Sequence, residues 1–257
     1  APGALTYNPA AGVILAAGSQ TLSVTAAATA NYNEATKTVT LVVDKAPTTT
    51  VVTVANATYD GLPHGGTANV TGANGLNEAV TVMYAGVSPT VYASTTTAPT
   101  NAGTYSATAK YAATANYLTS TDSNNFTINK LAITITAHTG QYKYCGQADP
   151  TSFAYSGSES LISGDSYSGS LGRAGNLNSG VGTYAYNIGT LSAGTNYYLT
   201  LGGTSTFEIK SITVDASATS AAIPQGTANK QLSALVTSFA GAANVGDASV
   251  TFTVTSN

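Results

Sequence analysis

Apolar and polar side chains alternate in short runs along this chain. Val39, Leu41 and Val43 alternate with Thr38 and Thr40, and Phe126 and Ile128 with Thr127 and Asn129. Ile133 and Ile135 in "AITITA", Ile212 and Val214 in "SITVDA", and Val250, Phe252 and Val254 continue the pattern. A period of two is the mark of a half-buried β-strand. Turn signals separate the runs: "DGLPHGG" (60–66), "GANGLN" (72–77), "APTNAG" (98–103), "CGQADP" (145–150), "SGDS" (163–166) and "LGG" (201–203). Gly supplies positive φ, Pro fixes φ, and Asn and Asp bond back to the local backbone. "TDSNN" (121–125) and "GDS" (164–166) also read as turns, and Ala10–Ala17 as one strand with its turn. No segment holds a helical period; residues 230–243 come nearest and read as strand and loop. A parallel βαβ arrangement needs helices, so the pattern predicts an all-β chain of antiparallel sheets.

The strands belong to a longer repeat. "ANYNEATKTVTLVVDK" (30–45), "ANYLTSTDSNNFTINK" (115–130) and "TNYYLTLGGTSTFEIK" (195–210) share an Asn-Tyr pair and end on Lys. Tyr32, Tyr117 and Tyr197 mark the start of each phrase, and Gly18, Gly103 and Gly182 stand upstream at matching distances. The phrase ends lie 85 and then 80 residues apart, about the length of a small β-sandwich and far above a solenoid period. Strand faces alternate, so the third phrase keeps its phase only if Tyr198 is an insertion; "LVVDK", "FTINK" and "FEIKS" then match. Four segments follow: 1–45, the C-terminal part of a repeat; 46–130 and 131–210, two full repeats; and 211–257, the opening part of another. Junctions "DKAPTTTVV", "NKLAIT" and "IKSIT" carry no Gly/Ser linker. The expected architecture is a row of immunoglobulin-like antiparallel sandwiches forming an elongated, semi-rigid rod.

Composition narrows the function. Only 7% of the residues are charged while 43% are apolar, and the 16 Tyr and many Val, Thr and Ile argue for folded β-structure rather than disorder. Eight scattered Lys and Arg with a net charge of −3 exclude a nucleic-acid footprint. No apolar run reaches the roughly 18 residues that suggest a membrane-spanning helix. The opening "APGALTY" carries no signal-peptide pattern and reads as the start of an excised or mature fragment. One cysteine, Cys145, excludes an internal disulfide framework.

Candidate chemistry is sparse. His64 and His138 lie in different repeats and form no ligand-spaced cluster, so no metal or cofactor is expected. Cys145 stands seven residues from His138, a spacing that makes no catalytic dyad, and the chain is read as non-enzymatic. Asp149-Pro150 reads as a turn. Tyr32, Tyr117 and Tyr197 are read as structural: rings near a sandwich corner with hydroxyls bonded to backbone. Asn56, Asn69 and Asn125 occupy glycosylation sequons expected to be unused. Lys at strand exits is poorly placed for an isopeptide crosslink, which needs a buried Lys, Asn and acid together.

The stretch running from "ATYDGLPHGGTANVTGANGLNEAVTVMYAG" through "APTNAGTYSATAKYAATANYLTSTDSNNFTINK" resembles the bacterial glycine-rich repeat called the MBG domain. "ITAHTGQYKYCGQADPTSFAYSGSESLISGDSYSGSLGR" with "GVGTYAYNIGTLSAGTNYYLTLGGTSTFEIK" resembles a second form of it. Residues 1–45 are similar to the closing half of a related bacterial Ig-like repeat, and 211–257 to an opening half. The resemblance implies an exported, extracellular or cell-surface bacterial protein in which such repeats are stalks and spacers of adhesins; it carries over no catalytic residue. The first expectation is therefore a structural spacer whose partners are neighbouring repeats. An adhesion module, binding glycan or protein through Tyr/Asn loops, is the second. A third is a filament of identical chains end to end, in which the incomplete end repeats exchange strands; the plainer reading of those ends is that the fragment boundaries cut through neighbouring repeats.

Overall fold

The computed structural model describes residues 3–211, 214–215 and 237–238. The chain divides into two compact units, Ala1–Leu131 and Ala132–Asn257, each with β-strands as its regular structure. One short 3-10 turn, Ala73–Gly75, interrupts the strands of the first.

The first unit opens with β1 (Leu5–Asn8), β2 (Gly18–Ala26) and β3 (Ala35–Val43), an antiparallel sheet in the order β1-β2-β3. β4 (Thr48–Thr53), β5 (Ala57–Thr58), β6 (Thr67–Gly72), β7 (Asn77–Ala79), β8 (Val82–Gly86), β9 (Gly103–Tyr111) and β10 (Ser120–Asn129) follow. They form two sheets, β4-β6-β7 and β5-β10-β9-β8. Buried faces from both supply one core: Val52, Ala68 and Val70 from the first, Tyr84, Tyr105, Ala107, Phe126 and Ile128 from the second. Each large apolar side chain removed from water there contributes on the order of 2 kcal/mol.

The second unit holds β11 (Leu131–Ala137, whose first residue closes the preceding unit), β12 (Tyr142–Tyr144), β13 (Tyr155–Gly157), β14 (Gly172–Arg173), β15 (Gly182–Asn187), β16 (Tyr197–Gly202) and β17 (Thr206–Lys210). Its sheets are β13-β11-β16 and β12-β17-β15-β14. Ile133, Ile135, Phe153, Tyr186, Phe207 and Ile209 are buried. β18 (Val214–Asp215) and β19 (Thr237–Ser238) then pair antiparallel. The alternating run at Val250–Val254, and all of 230–243 except Thr237–Ser238, lie outside the described residues.

All-β architecture is what the alternation predicts, with four differences in detail. Not every pair is antiparallel: β5 runs parallel to β10, and β12 parallel to β17. In both cases the opening strand of the repeat is split, β4 and β11 joining one sheet while β5 and β12 cross to the edge of the other. "TDSNN" is not a turn but the first half of β10. Its inward positions 120, 122 and 124 are polar because they meet β4 through side chains. Asp122 accepts from the Val52 amide at 2.8 Å, Asn124 donates to the Val52 carbonyl at 2.7 Å, and Ser120 bonds Thr50 at 2.7 Å. Ala10–Ala17 is a loop rather than a strand; it follows Pro9 and turns through Gly12 at φ 86°. Finally, the third phrase is two strands. β16 lies beside β11 and β17 beside β15, and the chain changes sheets at Gly202–Gly203, where Gly203 has φ 77°. A Cβ on Gly202 would sit 2.4 Å from the Thr134 methyl, so glycine lets the crossing chain pass close to β11.

Candidate functional site

Strand register brings the three phrases into one frame. Gly18 pairs with Val43, Gly103 with Ile128 and Gly182 with Ile209. The extra residue of the third copy therefore falls between Tyr197 and Ile209, within the stretch where the chain leaves one sheet for the other. Two residues after each glycine stands a side chain that donates to the carbonyl four residues before it. Tyr105 bonds Asn101 O at 2.7 Å, Tyr184 bonds Gly180 O at 2.7 Å, and Gln20 bonds Ala16 O at 3.0 Å. Burial, then the nearby Tyr92, pushes the Tyr105 hydroxyl above its ordinary range, so it stays protonated as a donor. This corner was readable as "GTY" at 103–105 and 182–184; the glutamine in "GSQ" hides its first copy. Glycine is required for different reasons. Gly18 has φ 114°, whereas a Cβ on Gly103 would lie 2.8 Å from Thr90.

The Asn-Tyr pairs occupy the turn leading into each closing phrase. Thr29 N bonds Tyr32 O at 2.9 Å, Thr114 N bonds Tyr117 O at 3.1 Å, and Tyr197 N reaches Gly194 O at 3.4 Å. Their rings differ in surroundings. Tyr197 is buried, and its hydroxyl donates to Asp165 at 2.6 Å while accepting from the Ile162 amide at 2.9 Å. Tyr117 is half-buried and bonds Ala73 O at 2.8 Å. Tyr32 is 60% exposed, so the picture of a ring packed at a corner does not describe it. The turn around Asn116 also grips the preceding segment. Asn116 Oδ1 accepts from Ala17 N at 2.9 Å and its carbonyl from Ala46 N at 2.8 Å. Leu118 N donates to Ala46 O at 2.9 Å, and Lys45 Nζ to Thr114 O at 2.7 Å.

Asp149 is more than a turn residue. It accepts two bonds from Arg173, at 2.9 and 3.1 Å, and lies 2.9 Å from Lys143 Nζ. Both cations are almost wholly buried, at 8% and 4% exposure. Arg173 also donates to the carbonyls of Ala174 and Asn176 and lies 5.4 Å from the Phe207 ring centre. Lys143 donates to Leu177 O at 3.2 Å. Burial works to raise the Asp149 carboxyl, but hydrogen bonds and charge from Arg173 and Lys143 outweigh it and hold the group below its ordinary range. Sequence reasoning missed this cluster because Arg173 lies 24 residues from Asp149, because Lys143, six residues away, gives no local sign of pairing with it, and because Asp-Pro carries a strong turn signal.

Residues 133–207 match the MBG domain (YGX type). The match runs from β11 to β17, and the whole Asp149 cluster falls inside the MBG segment. No curated protein matches the chain.

Cys145, also within the MBG segment, is a half-buried free thiol whose amide donates to Lys210 O at 2.9 Å. The backbone of His138 is tied to Ala154 and to the Gln141 side chain. His64, outside the segment, bonds Asp60 at 2.9 Å. The Leu62 amide leads the effects that hold the Asp60 carboxyl below its usual range. Asn56 accepts from the Thr127 amide and Asn69 donates to Asn77, so both sequon side chains serve the fold. Among the described residues, no group of three or more His, Cys, Asp or Glu is placed to hold a metal ion. No helix among them is long and apolar enough to cross a membrane.

Proposed function

We propose that this chain is a spacer segment of an exported bacterial surface protein, built from tandem Ig-like repeats that hold neighbouring modules apart. Under this reading it performs no catalysis. The junction at Lys45–Ala46 carries the proposal: the turn around Asn116 grips it through three of the hydrogen bonds described above and holds Ala17 by the fourth, where a flexible linker would make none. The recurring corner and the split opening strand support an Ig-like plan, and the MBG match supports the surface setting.

Pulsed EPR distances between labels at Thr40→Cys and Ser123→Cys, in a Cys145→Ser background, test the reading. A narrow distribution is expected, broadening on Asn116→Ala. A broad distribution in the parent protein would discard a stiff spacer. Two rings 60% exposed, Tyr32 and Tyr198, favour glycan adhesion as a second reading. Glycan-array binding lost on Tyr32→Ala would support it.

A further inference from the structure

β12 places Tyr142 opposite Glu208 of β17, Lys143 opposite Ile209 and Tyr144 opposite Lys210, and Thr183 of β15 faces Glu208 from the other side. Lys143 and Ile209 point into the core, at 4% and 0% exposure. Successive side chains on a strand point to opposite faces, so Tyr142, Tyr144, Thr183, Glu208 and Lys210 share the outer face. Tyr142, Thr183 and Glu208 are exposed there, and Tyr144 is half-buried. The two tyrosine ring centres lie 5.7 Å apart with their planes at 87°. Lys210 Nζ stands 3.8 Å from the Tyr142 ring centre and 3.6 Å from a Glu208 carboxylate oxygen. Tyr144, Thr183, Glu208 and Lys210, with Val181, line a concavity of about 340 Å³.

The fold does not require these side chains. Ile128 and Ile209 hold one register position, opposite Gly103 and Gly182, and the parallel edge strands align Ala57 with Lys143. Asn56, Thr58, Thr104, Thr127 and Asn129 are therefore the first unit's counterparts of Tyr142, Tyr144, Thr183, Glu208 and Lys210. That face is small and neutral, and its amides serve the backbone. Asn56 accepts from the Thr127 amide at 2.8 Å, and Asn129 donates to Ala57 O at 3.2 Å. In the second unit the same frame carries two rings, an acid and a base, in a chain of which only 7% is charged. Tyr105, Tyr117, Tyr184 and Tyr197 each spend their hydroxyl on the fold. The hydroxyls of Tyr142 and Tyr144 make no hydrogen bond among the described residues.

This set of groups suits a sugar. The C–H face of a pyranose stacks on an aromatic ring through dispersion and the negative face of the ring, the same property that holds the Lys210 ammonium over Tyr142. Glu208 accepts hydrogen bonds from hydroxyls, Lys210 donates them, and Thr183 does either. The two charges cancel, which favours an uncharged ligand over an acidic or basic one. The concavity lies at the small end of ligand pockets, which run from about 300 to 1,000 Å³, and so matches one or two sugar rings.

We propose that this outer face binds a neutral hexopyranose of a glycan, with Tyr142 and Tyr144 as the stacking surface and Glu208, Lys210 and Thr183 as partners of the sugar hydroxyls. The proposal goes beyond the spacer reading and uses neither Tyr32 nor Tyr198, the exposed rings that favour adhesion elsewhere on the chain.

Saturation-transfer NMR on the full 257-residue chain tests it. The neutral probes are the methyl glycosides of glucose, galactose, mannose and N-acetylglucosamine; the charged comparison is that of N-acetylneuraminic acid. Transfer to the ring protons of at least one neutral probe is expected, with amide shifts confined to residues 142–145, 181–183 and 208–211. Tyr144→Ala is expected to weaken binding about tenfold, the worth of one good aromatic contact, and Glu208→Gln to weaken it less. Thr183→Met, at an exposed strand position, fills the concavity without touching the core. It is expected to abolish binding with melting of the MBG segment unchanged, and it decides the matter if Tyr144→Ala fails to fold. Tyr32→Ala is expected to have no effect. Absence of transfer to every neutral probe overturns the proposal, as does a stronger response to the charged glycoside. So does binding that survives Thr183→Met, or that is lost in Tyr32→Ala. EPR distances at the Lys45–Ala46 junction are independent of these results, so failure here and failure of the spacer reading are distinguishable.

Discussion

At the scale of single residues, the Asp149 cluster is the most consequential arrangement. Two buried cations converge on one carboxylate that is itself 22% exposed at the side chain. Removing the carboxylate strands both charges. Asp149→Asn is expected to destabilise the MBG segment by about 2–3 kcal/mol, the low end for a buried pair because the group keeps some contact with water. Calorimetry on the variant measures it. Acidity acts on the same contact. The folded carboxyl sits below its unfolded value, so its contribution is complete above about pH 4 and disappears as pH falls through the lower folded value. Acid melts of parent and Asp149→Asn should therefore converge at low pH. Tyr186 is the opposite case. Its hydroxyl is buried with no hydrogen-bond partner among the described residues, in a ring cluster with Phe153 and Phe207, and burial raises its pKa.

At the scale of elements, alternation made the apolar strands legible. The second half of β10, β11 and β17 bury the side chains their period assigns, whereas β3 forms the expected strand but leaves Val39 and Leu41 exposed. The polar half of β10 was not legible, since Ser120, Asp122 and Asn124 read as turn formers to any rule based on local backbone bonding. Their partners lie about 70 residues away on β4, and no local pattern reveals that. The candidate corner was half visible. The recurring glycines were the right landmark, but the hydroxyl bonded to the preceding loop belongs to Tyr105 and Tyr184, not to the more conspicuous Asn-Tyr pairs. Asp122→Ala removes the acceptor for the part-buried Val52 amide and should cost about 1–2 kcal/mol. Faster hydrogen exchange at Val52, with little change in the second unit, would be its signature.

At the scale of the whole molecule, each of the two compact units carries its own buried aromatic and aliphatic cluster: Tyr105 with Phe126 in the first, Phe153 with Phe207 in the second. Separate cores predict separate transitions. Thermal unfolding should resolve into more than one step, with Asp149→Asn moving only the step of the MBG segment and Asp122→Ala only the other. The low charge density also makes those steps insensitive to salt, except where Asp149 is involved. The split opening strand has a mechanical corollary. β5 lies parallel to β10, and β12 to β17, so the first and last strands of each repeat run the same way side by side. Tension applied to the two ends of a repeat drags these neighbours in opposite directions. The bonds from Tyr59 N to Asn129 O and from Cys145 N to Lys210 O, both 2.9 Å, are then loaded in shear together with the rest of their ladders rather than peeled apart one after another. A repeat wired in this way yields late under traction, whatever its stability at rest.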